Sequence, residues 1–423
     1  MAYLLRPDND QLAEAELDAY HGVPFLVSAD WTYLDHQNAF IRERAVGLWS
    51  SSGRFRNELT IGERLSENAT LAYSHDLKNF TSYLERRRLN WRTLNYQGLI
   101  DTYDADMGAG KWSETGKPLA AETINRRMRV ACQFLLWAGD RDHRPPFVVP
   151  TVPSRRRSST TRFAFDIVEK RVGKRPLYSS QLRLPTREEI RSFIEEVRCR
   201  HGRTRALAIQ FIFETGTRRQ ETSLIRAEQI PDPEYVELDR FGRIAICYGT
   251  KGHRTVGDPS LAGKPRALRI RRDFLVELHN YKQLGRKQAL RNFEQKNPGQ
   301  PSPPQFFLDE STGRPLSSQA IYRAWKTNSN NPVSKRSPHS GRHCFACYLL
   351  LDIIAAEAEN LGLSKGYPQS HLRTRVDDVI TTHIRPVLGH VSETTTERYL
   401  DWVIDQLWVV PARVNYSRHL DEA

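Results

Sequence analysis

Residues 387–400, VLGHVSETTTERYL, restrict the fold of the chain more than any other stretch. A Leu-Gly pair near the start is typical of the end of a helix, because glycine adopts the left-handed conformation that closes a C-terminus. Thr394 followed three residues later by Glu397 is a capping box that starts a new helix. The pattern predicts two helices joined by a tight turn, with Tyr399 inside the second helix. On its own this motif is ordinary, since most tyrosines in such helices only pack or form a local hydrogen bond.

Three clusters upstream offer cationic or proton-transferring side chains. They are residues 215–221 (TGTRRQE), 248–252 (YGTKG) and 337–343 (SPHSGRH). Together with the Gly-His pair and the tyrosine of the C-terminal stretch, they follow the order Arg, Lys, His-x-x-Arg, Gly-His and Tyr. At these residues the chain resembles the tyrosine recombinases, also called the phage integrase family, in which the last His and the Tyr are usually nine residues apart. The matching positions are Arg218, Lys251, His339, Arg342, His390 and Tyr399.

The resemblance implies a phosphoryl-transfer site. Tyr399 would attack a DNA phosphorus, form a 3′-phosphotyrosyl link and release a 5′ hydroxyl. Arg218 and Arg342 suit the phosphate oxygens, because guanidinium groups bind phosphate in a bidentate way and stay charged. Glu221 is expected to support Arg218 from one turn further on, and Arg219 is the competing arginine of the first cluster. The bond energy stays in the enzyme–DNA link, so we expect no cofactor and no metal.

The tyrosine needs help to lose its proton, because a free phenol has a pKa near 10 and only about one in a thousand is ionised at pH 7. His339 or His390 could accept this proton or bind a phosphate oxygen, and the sequence does not divide the two roles. Lys251 follows a predicted strand and is expected to protonate the departing 5′ oxygen as a general acid. Lys264, across the same predicted hairpin, is the alternative.

The third cluster predicts the start of a helix. Its Ser-Pro pair suits the N-cap and the first helical position, so His339 and Arg342 would share a face in the first turn. Cations there oppose the helix dipole, whereas a bound phosphate makes the same arrangement favourable. Cys344 and Cys347 follow on this helix with metal or redox spacing, but no second ligand pair stands nearby. We expect both to be buried as small apolar side chains.

Charge points to a polyanionic partner. The chain of 423 residues carries a formal net charge of +13, and residues 141–183 hold eleven Lys or Arg against three Asp or Glu. No apolar run approaches the roughly 20 residues of a membrane span, and the start lacks the apolar core of a secretory signal. An odd count of five cysteines suits a reducing compartment. We therefore expect a protein of the prokaryotic cytoplasm that works on the nucleoid, with no membrane partner.

The expected fold is mainly α with a small antiparallel β-sheet, divided into a helical core-binding domain and a tyrosine-recombinase catalytic domain. Helices in the first domain are predicted from apolar residues that recur at helical spacing: Tyr73, Leu77, Phe80 and Leu84, and then Ile124, Met128, Ala131, Phe134 and Leu135. The second domain is predicted to open with a helix that Thr186 and Glu189 cap. The predicted divisions are an N-terminal extension (1–58), the helical DNA-binding domain (59–140), a basic interdomain linker (141–183) and the catalytic domain with a C-terminal tail (184–423). The extension has the wrong charge for a DNA-binding arm, so protein contacts are expected of it. Linker residues without a core of their own would run along DNA. Residues chosen as DNA contacts are Arg126, Arg127, Arg155, Arg156 and Arg157.

Two departures concern the C-terminal part. About 25 residues near 355–378 exceed the usual family spacing and are interpreted as an insertion. Beyond the tyrosine the chain is unusually apolar for an end, and Trp402, Leu407 and Trp408 either dock on a neighbouring protomer or fold back on their own domain. The first alternative implies a homotetramer on DNA. Accessory DNA-bending or directionality proteins would be further partners.

The predicted function is that of a site-specific DNA recombinase, the integrase or transposase of a mobile element, acting on double-stranded DNA. A type IB topoisomerase or a telomere resolvase would use the same nucleophile. A non-catalytic DNA-binding regulator of the same fold is the other alternative, although such a protein would be expected to have lost at least one catalytic group, and all six are present here.

Overall fold

The structure is a computed structural model, and it forms two compact units, Met1–Ser179 and Ser180–Ala423. It describes the following parts of the chain: 1–50, 64–157, 165–177, 182–237, 241–247, 265–327, 330–363, 369–389 and 394–421. In these parts the chain is mainly helical with antiparallel strand pairing, as predicted, and it holds three pairs of strands where the sequence predicted one. No described helix is both long and apolar enough to pass through a bilayer.

Helices dominate the first unit. They are α1 (Asn9–Glu14), α2 (Asp35–Val46), α3 (Glu67–Arg87), α4 (Tyr96–Leu99), α5 (Ala105–Gly108) and α6 (Ala121–Asp140), with a 3-10 turn at Asp18–Tyr20 and a π-helical turn at Ile100–Asp104. The strands are β1 (Tyr3–Leu5) paired with β2 (Phe25–Val27), and β3 (Thr151–Arg157) paired with β4 (Phe165–Arg171).

The core of the first unit confirms the helical periodicity read from the sequence. Apolar residues at the predicted positions of α3 and α6 are buried, among them Leu77, Phe80, Met128 and Phe134. The N-terminal segment was expected to be a separate extension, but it shares this core through buried residues such as Phe40. Polar contacts join the same parts, for example the hydrogen bond that the Ala2 amide donates to Ser82. The described part of the N-terminal segment therefore packs against the helical domain of the same chain.

Residues 151–157 and 165–171 form a two-stranded ribbon, where the sequence predicted only a linker without a core. Seven residues of β3 pair in register with seven of β4, from Thr151 opposite Arg171 to Arg157 opposite Phe165. Arg171 donates to the Tyr96 hydroxyl at 2.8 Å, and Arg175 forms an ion pair with the buried Asp104 at 2.6 Å. The basic ribbon is therefore anchored to the helical domain at its base. The reason why the sequence did not predict these strands is physical. Where the side chains of the ribbon are described, at 151–154 and 167–171, most of them are exposed, so the pattern of a half-buried strand is missing.

The second unit is also mainly helical. Its helices are α7 (Arg187–His201), α8 (Arg203–Thr215), α9 (Arg219–Leu224), α10 (Arg272–Gln283), α11 (Gly285–Lys296), α12 (Ser318–Trp325), α13 (His339–Asn360), α14 (Gln369–Val379), α15 (Arg385–Leu388), α16 (Thr394–Ile404) and α17 (Val410–Asp421). Short 3-10 turns lie at Ala227–Gln229 and Pro233–Tyr235, and π-helical turns at Ile380–Ile384 and Asp405–Val409. Strands β5 (Phe241–Ile246) and β6 (Arg266–Arg271) form the predicted antiparallel pair.

Local signals in the second unit are confirmed where the structure describes them. Thr186 and Glu189 form the predicted reciprocal capping box of α7, with bonds of 2.7 and 3.1 Å. Gly389 ends α15 in the left-handed conformation (φ 59°), and α16 begins at Thr394. The expected capping box with Glu397 depends on side chains outside the described residues.

Two cores organise the second unit. One lies between α7, α8, α10, α12 and the β5–β6 pair, and the other is formed by α13 to α16. The stretch near 355–378, interpreted as an insertion, contributes the end of α13 and all of α14. Leu372 and Val376 of α14 are buried in the second core, and Arg375 forms an ion pair with Glu357. This stretch therefore helps to build the core that surrounds Tyr399.

Candidate active site

A buried arginine joins three of the sequence clusters. Arg342 lies in the first turn of α13, and its side chain has no exposed surface. One guanidinium nitrogen donates to the carbonyl of Gly216 at 2.6 Å, and another donates to the carbonyl of Leu388. These two residues end α8 and α15, where helix carbonyls lack intrahelical partners and attract cations. The guanidinium thus fixes the Arg218 turn and the Gly389 turn against α13.

Glu221 holds two further arginines. Its carboxylate accepts from the Arg218 guanidinium at 2.9 Å and from the Arg218 amide at 2.7 Å, so the predicted supporting contact is present. The oxygen that accepts from the Arg218 amide also accepts from the guanidinium of Arg266, the first residue of β6. Burial by itself would raise the pKa of Glu221, but Arg266 and then Arg218 outweigh it and hold the pKa below its usual range. Glu221 is therefore a buried anion shared by two guanidiniums.

Tyr399 is fully buried in the core formed by α13 to α16, and its hydroxyl lies 2.9 Å from Nδ1 of His343. Burial is the main reason why the pKa of Tyr399 is raised, with Cys347 adding to it, while Arg342, Arg398 and Arg218 act in the opposite direction. The phenol is therefore protonated near neutral pH.

The predicted histidine of α13 lies on the solvent side of this pair. His339 is exposed, and its ring meets that of His343 edge-on with centroids 4.6 Å apart. The pKa of His339 is lowered first because part of its ring is shielded from water, and then by the positive charges of Arg342 and Arg218. The helix itself begins at His339, with Pro338 at the N-cap, one residue later than the Ser-Pro pair suggested. The amide of Ser340 donates to the carbonyl of Ser337 at 2.8 Å.

Several predicted groups lie outside the described residues. They are His390, Lys251 and the alternative general acid Lys264. Their flanking elements are nevertheless placed: a Cβ at Gly389 would come 3.1 Å from a guanidinium nitrogen of Arg266. The turn at Gly389 and the start of β6 at Arg266 therefore meet beside Glu221. Arg219, the competing arginine, lies over the ring of Tyr322 at 5.0 Å instead.

Two residues of this cluster were missed in the sequence. His343 is part of the third motif, but the resemblance draws attention to the His-x-x-Arg pair and passes over the neighbour of the arginine. Its position four residues after His339 places it on the same helix face, which is a usable signal. Arg266 has no comparable signal, because its partner Glu221 is 45 residues away in the chain.

The residues chosen as DNA contacts have mixed environments. Arg126 donates to the buried Asp76 with bonds of 2.8 and 3.0 Å, and Arg127 lies 4.0 Å from the same carboxylate. Arg155, Arg156 and Arg157 are consecutive residues of β3, and their side chains lie outside the described part. Arg126 and Arg127 thus lie against a carboxylate of their own domain. For the three arginines of the ribbon, the structure describes the backbone only.

The tail folds back on its own domain at the residues singled out in the sequence. Trp402 is 8% exposed, and Leu407 and Trp408 pack partly buried against the same core. In the single chain, the apolar surface of these three residues therefore packs against their own domain, and docking on a neighbouring protomer stays a prediction. Exposed apolar side chains occur further on, at Val409, Val410, Val414 and Tyr416.

The two cysteines of α13 are buried, as predicted, with Cys344 1% and Cys347 0% exposed. Burial raises the pKa of the Cys344 thiol to about 12. Across the part of the chain that the structure describes, no three His, Cys, Asp or Glu side chains are grouped in a way that would hold a metal ion.

Comparison with known proteins adds an independent observation on the first unit. Residues 53–141 match the family described as phage integrase, N-terminal SAM-like domain. This match confirms the resemblance to the phage integrases for that stretch, which contains α3 to α6. No protein of curated function matches the chain.

Solved structures of recombinases are similar in fold to the chain. XerH site-specific recombinase bound to difH substrate in a pre-cleavage complex has a TM-score of 0.46 and 16% identity, over 80% of this chain and 76% of that one. The Tn1549 transposon integrase with transposon right end DNA has a TM-score of 0.45 and 15% identity, over 84% and 95%. A lambda integrase dimer bound to a COC′ core site has a TM-score of 0.43 and 14% identity, over 80% and 90%.

Proposed function

We propose that this chain is a tyrosine site-specific recombinase, the integrase or transposase of a mobile element. The observation that carries the proposal is that the Arg218, His339, Arg342 and Tyr399 segments converge in one unit, although they are far apart in sequence. Cations around a buried phenol suit attack on an anionic phosphodiester. The match of residues 53–141 to a phage integrase domain supports the same function.

In the proposed reaction, the oxygen of Tyr399 attacks the scissile phosphorus and becomes the 3′-phosphotyrosyl link. Arg218 and Arg342 stabilise the charge that builds on the equatorial oxygens. Glu221 holds Arg218 in place, and Lys251 protonates the departing 5′ oxygen. His339 and His390 bind phosphate oxygens or move protons. A hydroxyl from another strand then reverses the chemistry, so the cycle needs no cofactor and no metal.

Unmatched donors support a phosphate site. Among the described residues, the Nε groups of Arg342 and Arg266 are buried and have no hydrogen-bond partner. A buried N–H without an acceptor costs about 1–3 kcal/mol, and more when the group is charged. An anion that accepted from these donors would remove this cost.

The proposed partner is double-stranded DNA carrying specific recombination sites. The ribbon arginines Arg155, Arg156 and Arg157 neutralise backbone phosphates, as do Arg126 and Arg127 to the extent that Asp76 leaves them free. Assembly as a homotetramer would use the exposed apolar side chains of α17, beginning at Val410. The same proposal implies accessory DNA-bending or directionality proteins as further partners. It also implies a location on the prokaryotic nucleoid.

A nicked suicide duplex that carries the cognate site tests the proposal. Cleavage near the nick releases a short fragment that cannot religate, so the wild-type protein accumulates as a covalent complex that Tyr399→Phe does not form. Exchange between two labelled duplexes supports a recombinase, whereas religation within one duplex only points to a topoisomerase. Sequence-specific binding without any covalent complex would overturn the enzymatic proposal in favour of a DNA-binding regulator.

A further inference from the structure

Among the described residues, the Tyr399 hydroxyl has a hydrogen-bond partner that the sequence analysis did not choose, His343. Nδ1 of His343 lies 2.9 Å from the phenol oxygen, and the two rings meet edge-on at 64° with centroids 5.5 Å apart. His343 is half-buried, and it stands between the exposed His339 and the buried tyrosine. Both partners are held by helices that pack together, α13 and α16, so the contact is part of the core.

We propose that His343 is the base that takes the proton of Tyr399 when the tyrosine attacks DNA. The inference rests on the proposed function and adds a catalytic residue to it. The O–H bond of Tyr399 breaks and its proton passes to the lone pair of Nδ1, while the phenol oxygen bonds to phosphorus. The P–O5′ bond breaks, and the 5′ oxygen takes a proton from Lys251. In religation the His343 imidazolium returns its proton to the tyrosine.

The surroundings of His343 keep a ring nitrogen available as an acceptor. Burial, His339, Arg398 and Arg342, in that order, lower the pKa of His343 to about 3, so the free imidazole is neutral at pH 7. An imidazolium alone at this position would face three groups that carry or can carry positive charge. This explains why the proton remains on the tyrosine in the absence of DNA.

A phosphodiester changes this balance. Its negative charge among Arg218, Arg342 and Arg398 offsets the cations that oppose protonation of the ring, and so raises the basicity of His343. The same cations stabilise the tyrosinate as the proton leaves, because they act to lower the pKa of Tyr399. Proton transfer is thereby coupled to occupation of the site by DNA.

A purely structural role for the same contact makes a different prediction, and asparagine separates the two. The amide oxygen of His343→Asn can accept a hydrogen bond at a similar distance from the main chain as Nδ1, but an amide does not take up a proton near neutral pH. If His343 only positions the phenol, His343→Asn retains activity. If it is the base, the hydrogen bond alone does not restore the rate.

The experiment measures single-turnover cleavage of the suicide duplex by full-length wild type, His343→Asn, His343→Ala and His371→Asn. His371 is an exposed histidine of α14 and serves as the matched control. Unfolding midpoints and DNA affinity are recorded for each variant, so that a folding defect is seen separately. We expect His343→Asn to bind DNA like wild type but to cleave about 100-fold more slowly, since a general base typically contributes 10²–10⁴-fold.

Two further readouts belong to the proton transfer. The cleavage rate of His343→Asn should increase with pH above 8, where hydroxide can take the proton, and imidazole in the buffer should accelerate His343→Ala more than His371→Asn. Cleavage by His343→Asn within about threefold of wild type, with an unchanged pH profile, would overturn the assignment of the base. This failure differs from that of the proposed function, in which the wild-type protein itself would form no covalent complex.

Discussion

At the scale of the residue, the resemblance and its spacing predicted which side chains form the site, and the structure shows how Arg218, Arg342 and Tyr399 are held. Arg218 has the predicted contact with Glu221, and Tyr399 lies in the predicted helix. The contacts of Arg342 could not be read from the sequence, because its two acceptors lie 126 and 46 residues away. Pairing across such distances depends on tertiary packing, which local patterns do not encode.

Arg342 is expected to stabilise the fold as well as to serve catalysis. Arg342→Ala leaves the carbonyls of Gly216 and Leu388 without their donors in a buried site, so the free energy of unfolding should fall by about 2–4 kcal/mol. Denaturant unfolding followed by circular dichroism measures this loss. The control is Arg187→Ala, whose ion pair with Asp352 is exposed and should contribute little. An equal effect of the two variants would contradict a stabilising role for the hydrogen bonds from Arg342 to Gly216 and Leu388.

Glu221 gives a prediction with a definite pH dependence. Its pKa is lowered in the folded protein, so its stabilising contribution is fully present above the ordinary carboxyl pKa of about 4.3 and is lost as the pH falls below it. Glu221→Gln should reduce the free energy of unfolding by about 2–4 kcal/mol at pH 7, because two buried guanidiniums lose their anion. The difference from wild type should shrink as the pH falls below the ordinary carboxyl pKa. A difference that stays constant over this range would show that the charge of Glu221 is not what stabilises the site.

At the scale of the element, periodicity predicted α3 and α6, and the capping box predicted the start of α7. The ribbon formed by β3 and β4 was missed, because proline, serine and arginine indicate a linker and most of its described side chains are exposed. The candidate site is assembled at helix ends. Both α8 and α15 end at a glycine, and Arg342 of α13 donates to the carbonyls of Gly216 and Leu388 at these ends. The turns that follow these helix ends carry candidate site residues.

Gly216 tests whether this assembly of helix ends is tight. It ends α8 with φ +65°, and an added Cβ would lie 2.5 Å from Phe345 and 2.9 Å from Leu388. Gly362 has nearly the same backbone conformation (φ +69°) but open space around it, so it is a matched control. Gly362→Ala should lose about 1 kcal/mol from backbone strain alone, and Gly216→Ala at least about 1 kcal/mol more. Equal losses in thermal unfolding would mean that α8, α13 and α15 adapt without strain.

The ribbon predicts a particular salt dependence of DNA binding. Replacing Arg155, Arg156 and Arg157 together by alanine should lower the slope of log K against log salt concentration by up to about 2.7, from roughly 0.9 per phosphate contact. Fluorescence anisotropy at several salt concentrations measures the slope. The control removes the same charge from α11, at Lys287, Arg291 and Lys296, all exposed and none part of the proposed site. If both triple variants shift the slope equally, the ribbon is not a specific DNA contact.

At the scale of the whole molecule, the sequence predicted an N-terminal extension, a helical domain, a basic linker and a catalytic domain, and the structure forms two compact units. The sequence did not predict that the first 50 residues join the core of the helical domain, because their acidic character indicates nothing about packing. Nor did it predict that the residues near 355–378 build part of the core around Tyr399, since spacing identifies extra length but not its location. The order and spacing of the motifs were thus more readable from the sequence than the packing of the molecule, because packing depends on many contacts between residues that are distant in the chain.

The central claim is that the phenol oxygen of Tyr399 becomes covalently joined to DNA. Mass spectrometry of the complex trapped on a suicide duplex, after digestion with nuclease and protease, locates the nucleotide-bearing residue directly. The account predicts a single adduct, a phosphotyrosyl nucleotide on Tyr399 linked through the 3′ oxygen. An adduct on another residue, such as the exposed Tyr416, or linkage through a 5′ phosphate would contradict it.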